Sequence, residues 1–198
     1  MDKRLEHYIF HKQNFLDRDF CEAGIIQLNK SSWNKHDWDN VWSDDDPEKN
    51  PLYKSGDNEP KVFYSDYGDC CEQLNRDILE RIHPVLSEYI DYLGFEWFEG
   101  WTGYTSLKFI EYSHGSRMAL HCDHIRSIFD GEKKGIPILS IIGTLNDNYE
   151  GGELIMFDNK KIILKQGDLV IFPSVFLYPH KINPVKKGKR YSYTSWVW

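Results

Sequence analysis

The hydrophobic period of this chain changes once, near Trp101, and that change limits the fold more than any other feature. Before it, apolar residues recur at three- and four-residue steps. After it, short β-rich runs alternate with turn residues, at 106–112, 136–145, 153–157, 161–164, 169–172, 178–182 and 191–198. Seven or so short strands with no helix between them demand a sandwich or a barrel and exclude a parallel α/β sheet. The chain is therefore α+β and mainly β, with its helices set against one sheet.

The helical half has two strong segments. Asp17 is placed to cap a helix over 18–28, whose Phe20, Gly24, Ile25 and Leu28 share a face. A longer helix is expected over 69–93 from Leu74, Ile78, Ile82, Val85, Tyr89 and Leu93, with Gly94 as its stop. Pro84 is expected to kink or divide it. Between them, residues 31–68 are irregular and polar, with Trp33, Trp38, Trp42 and the acidic run Asp44-Asp45-Asp46. A loop of this length in a compact domain reads as a lid over a site or as a loop pinned by its Trp side chains. At 198 residues the chain is expected to form a single domain, with 1–100 as helical support plus the loop and 101–198 as the core.

A net charge of −7 and a pI near 5.6 weigh against a nonspecific nucleic-acid binder. No apolar run approaches the ~20 residues of a membrane helix. The start Met1-Asp2-Lys3-Arg4-Leu5-Glu6 lacks a signal-peptide stretch, so the expected compartment is the cytoplasm. The four cysteines, Cys21, Cys70, Cys71 and Cys122, match no zinc spacing and read as reduced thiols. Oligomeric state is not readable.

Three side chains of the strand-rich half suit a metal. In His121-Cys122-Asp123, on an extended strand, the two ligands fall on one face and Cys122 on the other. His180 would add a second imidazole from another strand. Two imidazoles and a carboxylate form the facial triad of non-haem Fe(II) oxygenases. With 8 His and 18 Asp, chance supplies roughly 0.7 His-x-Asp matches, so the tripeptide alone decides nothing. Arg190 adds weight. It follows His180 by ten residues, across a turn-rich Asn183-Pro184-Val185-Lys186-Lys187-Gly188 that suits a hairpin placing the two nearly opposite each other. An inward Arg near an open metal fits a dicarboxylate, one end on the ion and the other in the guanidinium fork. Alternation then puts Ser192, Thr194 and Trp196 on the Arg190 face.

At this point the C-terminal half resembles the prolyl-4-hydroxylase-like branch of the Fe(II)/2-oxoglutarate dioxygenases. The matching stretches are Lys108-Phe109-Ile110-Glu111-Tyr112, His121-Cys122-Asp123, Thr144-Leu145-Asn146, Tyr149-Glu150-Gly151-Gly152-Glu153-Leu154, Gly167-Asp168-Leu169-Val170-Ile171-Phe172-Pro173-Ser174, and His180 with Arg190-Tyr191-Ser192 and Trp196. Their order and gaps over about 105–198 carry the resemblance. It implies a double-stranded β-helix, the jelly-roll or cupin-like sandwich, with N-terminal supporting helices. It implies iron on His121, Asp123 and His180, and the far carboxylate of 2-oxoglutarate on Arg190. Tyr112, Thr144 and Ser192 would contact that cosubstrate, and Trp196, with Trp33 and Trp38 of the loop, would line the substrate side. O₂ as oxidant and ascorbate as reductant belong to the same picture.

The expected reaction is hydroxylation of a C–H bond, first of all in a prolyl residue of a peptide or protein, with release of succinate and CO₂. A free amino acid or other small molecule is the alternative substrate. A non-enzymatic jelly-roll binding protein with a vestigial site and a zinc hydrolase are the alternative classes. For Tyr112, Thr144 and Trp196, ordinary core packing stands beside these roles.

Overall fold

The computed structural model describes residues 4–35, 61–64, 71–94, 103–123 and 136–198. In chain order the elements are β1 (Phe10–Lys12), α1 (Arg18–Leu28), β2 (Asn34–Lys35), β3 (Lys61–Tyr64), α2 (Glu72–Leu93), β4 (Lys108–Tyr112), β5 (Met118–His121), β6 (Leu139–Thr144), β7 (Glu150–Gly151), β8 (Leu154–Met156), β9 (Lys160–Ile162), β10 (Leu169–Pro173), β11 (His180–Ile182), β12 (Val185–Lys187) and β13 (Arg190–Val197). Trp38, Trp42, the acidic run at 44–46, Cys70 and His124 lie outside the described residues.

The Asp17 carboxylate caps α1, accepting from the Phe20 amide at 2.8 Å. Helix α2 ends where Gly94 takes a left-handed φ of 62° and donates to the carbonyls of Ile90 and Asp91. Pro84 does not divide α2, which runs unbroken through it. The reason is its position on the exposed face, where water can satisfy the Glu80 carbonyl that proline leaves without a donor. The opposite face of α2 buries Ile78, Ile82, Leu86 and Tyr89.

Two antiparallel sheets form the strand-rich half. The larger has the order β1-β10-β6-β13-β4-β3-β2 and the smaller β5-β11-β8-β9, while β7 and β12 pair separately. This is the expected double-stranded β-helix. The N-terminal hundred residues supply more than helices, because β1 pairs with β10 at one edge of the large sheet and β3 with β4 near the other. Alternation along the large sheet separates two cores. Phe109, Ile141, Leu169, Ile171, Tyr191 and Tyr193 pack with the buried faces of α1 and α2. Ile110, Tyr112, Ile142, Val170 and Phe172 face the smaller sheet and pack with Met118, Leu154, Met156 and Ile182.

The hairpin expected between His180 and Arg190 does not form. His180 pairs with His121 and Met156 in the small sheet, whereas Arg190 pairs with Tyr112 in the large one. The intervening residues cross from one sheet to the other through β12. Turn composition predicts a reversal of the chain but does not fix which sheet the returning strand joins.

Candidate metal and dicarboxylate site

Strand β5 ends at His121, so Asp123 sits just beyond it and not on the extended strand that the spacing suggested. The ligand atoms still converge. One atom each from His121, Asp123 and His180 lies within 4.8 Å of the others. His121 Nε2 is 3.3 Å from Asp123 Oδ1, and His180 Nε2 is 3.7 Å from Oδ2. Each imidazole uses Nδ1 on a carbonyl two residues back, His121 on Ala119 O at 2.7 Å and His180 on Tyr178 O at 3.1 Å. A carbonyl only accepts, so in both neutral rings Nδ1 carries the proton and Nε2 presents a lone pair. Two lone pairs and a carboxylate then face one another, an arrangement that a cation satisfies. The backbone bonds are the usual orienting partners of a metal-bound histidine.

Burial favours the neutral form of His180. It pulls the His180 imidazole down to about 4, against the raising effect of Asp123. Burial alone would raise the Asp123 carboxyl, but the adjacent His180 and His121 rings and a hydrogen bond from Ser140 hold it below the usual carboxylate range. Ser140 is itself held by Ser174 at 2.7 Å. Phe172 meets the His180 ring edge-on at 5.1 Å and closes its inner side. Cys122 is not part of the cluster, and its thiol donates to Phe176 O at 3.4 Å.

On the large sheet, Arg190 is 2% exposed. Its Nη1 donates to Ser192 Oγ at 2.7 Å, and its Cζ lies 5.0 Å over the Tyr112 ring. Its Nε has no hydrogen-bond partner, and it makes no ion pair with any described residue. Gly152, with a φ of +65°, lets the backbone approach the Arg190 stem, since a Cβ there would stand 3.2 Å from Cδ. A buried guanidinium without a counter-ion is costly unless a ligand supplies one.

The other expected residues divide. Ser192 and Tyr112 adjoin Arg190. Thr144 pairs with Ser192, yet its hydroxyl donates to the carbonyls of Asn146 and Tyr191, at 3.1 and 3.4 Å. Trp196 pairs with Ser140, beside Asp123, and its indole N–H is buried without a partner. Trp33 is displaced from the expected substrate side. It packs on Tyr191 at 6.3 Å in the helix-side core, on the far face of the large sheet. Ser140 was missed, because a serine inside an apolar strand gives no signal in the sequence.

Residues 107–198 match the family model described as the 2OG-Fe(II) oxygenase superfamily. A PKHD-type hydroxylase of Idiomarina loihiensis is 35% identical over 89 residues, 43% of this chain and 38% of that protein. The PKHD-type hydroxylase PiuC of Pseudomonas aeruginosa is 34% identical over 92 residues, 43% of this chain and 40% of that protein. The chain thus spans about two fifths of these curated relatives. Among solved structures, a Trichoplax adhaerens prolyl hydroxylase in complex with a hypoxia inducible factor peptide fragment matches with a TM-score of 0.67 and 19% identity, covering 97% of this chain and 84% of that one. A Pseudomonas putida prolyl-4-hydroxylase matches with a TM-score of 0.60 and 19% identity, covering 96% and 92%. At that identity the likeness establishes the fold, the double-stranded β-helix.

Proposed function

We propose that this chain, whose residues 107–198 match the model of the 2OG-Fe(II) oxygenase superfamily, hydroxylates a C–H bond at the expense of 2-oxoglutarate and O₂, with a prolyl residue of a peptide as the substrate class. The observation that carries this reading is a pair of unmet demands. Three lone-pair donors converge at His121, Asp123 and His180, and a buried guanidinium at Arg190 has no counter-ion among the described residues. Fe(II) answers the first, and the far carboxylate of a dicarboxylate answers the second.

His121, Asp123 and His180 would hold iron, whose chemistry when bound is redox activation of O₂ coupled to decarboxylation of the cosubstrate. The remaining tasks fall to the chain itself. Ala119 O and Tyr178 O keep both imidazoles in the ligand tautomer. Ser140 steadies the carboxylate. Arg190, aligned by Ser192, would take the distal carboxylate in a charge-assisted fork, and Tyr112 would form its wall. Ile110, Ile142 and Val170 keep the floor dry. Trp196, at the level of Ser140, would border the substrate. The prolyl assignment draws on the activities named for the structural neighbours, a Trichoplax enzyme in complex with a peptide and a Pseudomonas prolyl-4-hydroxylase.

The test incubates the protein with Fe(II), 2-oxoglutarate and air, and reads succinate release and a 16-dalton gain, one oxygen atom, on prolyl peptides. Both signals are expected together and lost without iron. Succinate release without iron would remove the metal assignment, and a gain confined to free amino acids would remove the peptide.

A further inference from the structure

Strand β6 departs from β13 at the level of Tyr191, short of Arg190, and a side chain takes over where the main chain leaves. The last main-chain bond between them runs from the Leu145 amide to Tyr191 O at 2.9 Å. Beyond it the buried Asn146 carboxamide continues the ladder. Its Oδ1 accepts from the Tyr191 amide at 2.7 Å, and its Nδ2 donates to Lys189 O at 2.7 Å. A main-chain amide only donates and a carbonyl only accepts, so these two partners fix which way the carboxamide is turned. Nδ2 also donates to Asn148 Oδ1 at 2.6 Å, and the Thr144 hydroxyl holds the Asn146 carbonyl at 3.1 Å. Arg190 lies between the two clamped residues. We propose that Asn146 is a positioning residue for Arg190, and that it sets the affinity for the far carboxylate of the cosubstrate by fixing the strand from which the guanidinium projects.

The inference rests on the iron and 2-oxoglutarate reading above. Alternation along the strand turns the Lys189 and Tyr191 side chains away from the Arg190 face. Both meet Glu111, Lys189 Nζ at 3.2 Å and the Tyr191 hydroxyl at 3.1 Å from the same Oε2. The two neighbours of Arg190 are thus held twice, by their main chain on Asn146 and by their side chains on Glu111. On the other side of the strand, Arg190 itself pairs with Tyr112. Its own side chain is held less firmly. One bond to Ser192 and the Tyr112 ring orient it, and Nε has no partner. A guanidinium fork is directional, so it depends on the strand beneath it more than an ammonium would. A displacement of about 1 Å at such a group can cost roughly a hundredfold. Without the carboxamide, the Tyr191 amide and the Lys189 carbonyl would each lose the partner that holds them in line, and the strand would relax at Arg190.

The experiment uses wild type, Asn146→Ala, Asn146→Asp, Arg190→Met and the double variant of Asn146→Ala with Arg190→Met, each loaded with Mn(II) under nitrogen. Calorimetry measures dissociation constants for 2-oxoglutarate and for oxalate, which chelates a metal but has no far carboxylate. Asn146→Ala and Asn146→Asp should each lose about tenfold or more in 2-oxoglutarate affinity and hold oxalate within about twofold. Asn146→Asp keeps the shape of the carboxamide and carries the test where the alanine variant does not fold. In the Arg190→Met background, Asn146→Ala should cost 2-oxoglutarate nothing further, because its effect passes through the guanidinium. Equal losses for the two acids would make Asn146 a general support of the sandwich and overturn the positioning role. Full 2-oxoglutarate affinity in both Asn146 variants would overturn it as well, as would losses that simply add to those of Arg190→Met. A wild type that binds Mn(II) but neither acid, or an Arg190→Met that keeps full 2-oxoglutarate affinity, refutes the functional reading itself, a result distinct from these.

Discussion

At the scale of single residues, the triad and Arg190 should separate function from stability. Asp123→Ala is expected to abolish iron-dependent succinate release while the melting temperature stays close to wild type, because the residue sits beyond the end of β5 and outside both apolar cores. Turnover surviving in Asp123→Ala or in His180→Ala would remove the ligand assignment. Arg190→Ala should raise the 2-oxoglutarate requirement more than Arg190→Lys does, since lysine keeps the charge but loses the planar fork. The expected loss for the alanine variant is about ten- to a hundredfold in half-saturating 2-oxoglutarate. Equal behaviour of both variants and wild type would leave Arg190 without a ligand. These residues could be singled out together because three weak signals came in a fixed order, His-x-Asp, a later His, and an Arg ten residues on. Trp33 packs against the helix-side core, and in the sequence an aromatic in a polar loop looks the same whether it faces a core or a substrate.

At the scale of elements, what was legible followed from periodicity and capping. Helix α1 starts after Asp17 as its cap required, and α2 stops at Gly94, the residue whose left-handed φ ends it. Sheet membership was not legible. A period of two says which residues share a face, and says nothing about which strand lies alongside, so the separation of His180 and Arg190 into two sheets came only from the fold. Strand β1 was missed because three residues are too few to show a period. The exposed Pro84 inside α2 gives a direct test of the helix argument. Pro84→Ala restores a backbone donor for Glu80 at a wet position and should raise stability by about 1–3 kcal/mol in urea unfolding. No gain would mean that the surrounding turn is fixed by packing alone. In α1, burial pushes the Cys21 thiol up to about 12, with Asp17 and Glu22 adding to the rise. Once pH passes the unfolded thiol value near 9, the unfolded chain releases a proton that the folded chain keeps, so stability falls as pH climbs toward 12. Between pH 9 and 10 the wild type should lose up to about 1 kcal/mol more than Cys21→Ala, measured as the change in urea midpoint with pH. Parallel pH profiles would show that the thiol ionises equally in both states.

At the scale of the whole molecule, the site's two halves belong to different sheets. His121 and His180 stand on the smaller sheet and Arg190 on the larger, so a ligand reaching both would tie the sandwich together across its inner core. Binding of that kind to the folded chain alone adds stability by mass action, about 2.7 kcal/mol at a hundred times the dissociation constant. Mn(II) should raise the melting temperature of wild type. 2-Oxoglutarate should raise it further in the presence of the metal, and by much less without it, because the cosubstrate then has Arg190 alone. Asp123→Ala should lose the metal step and most of the cosubstrate step that depends on it. Arg190→Met should keep the metal step and lose only the second. The unliganded Arg190→Met protein should melt no lower than wild type, since the guanidinium it removes is buried without a counter-ion among the described residues and methionine fits an apolar floor. Scanning calorimetry of the three proteins, alone, with Mn(II), and with Mn(II) and 2-oxoglutarate, reads all of these steps. If the two ligands raise the wild-type melting temperature independently, or Arg190→Met responds fully to 2-oxoglutarate, the metal and the guanidinium do not grip one molecule, and a single dicarboxylate spanning the two sheets is ruled out.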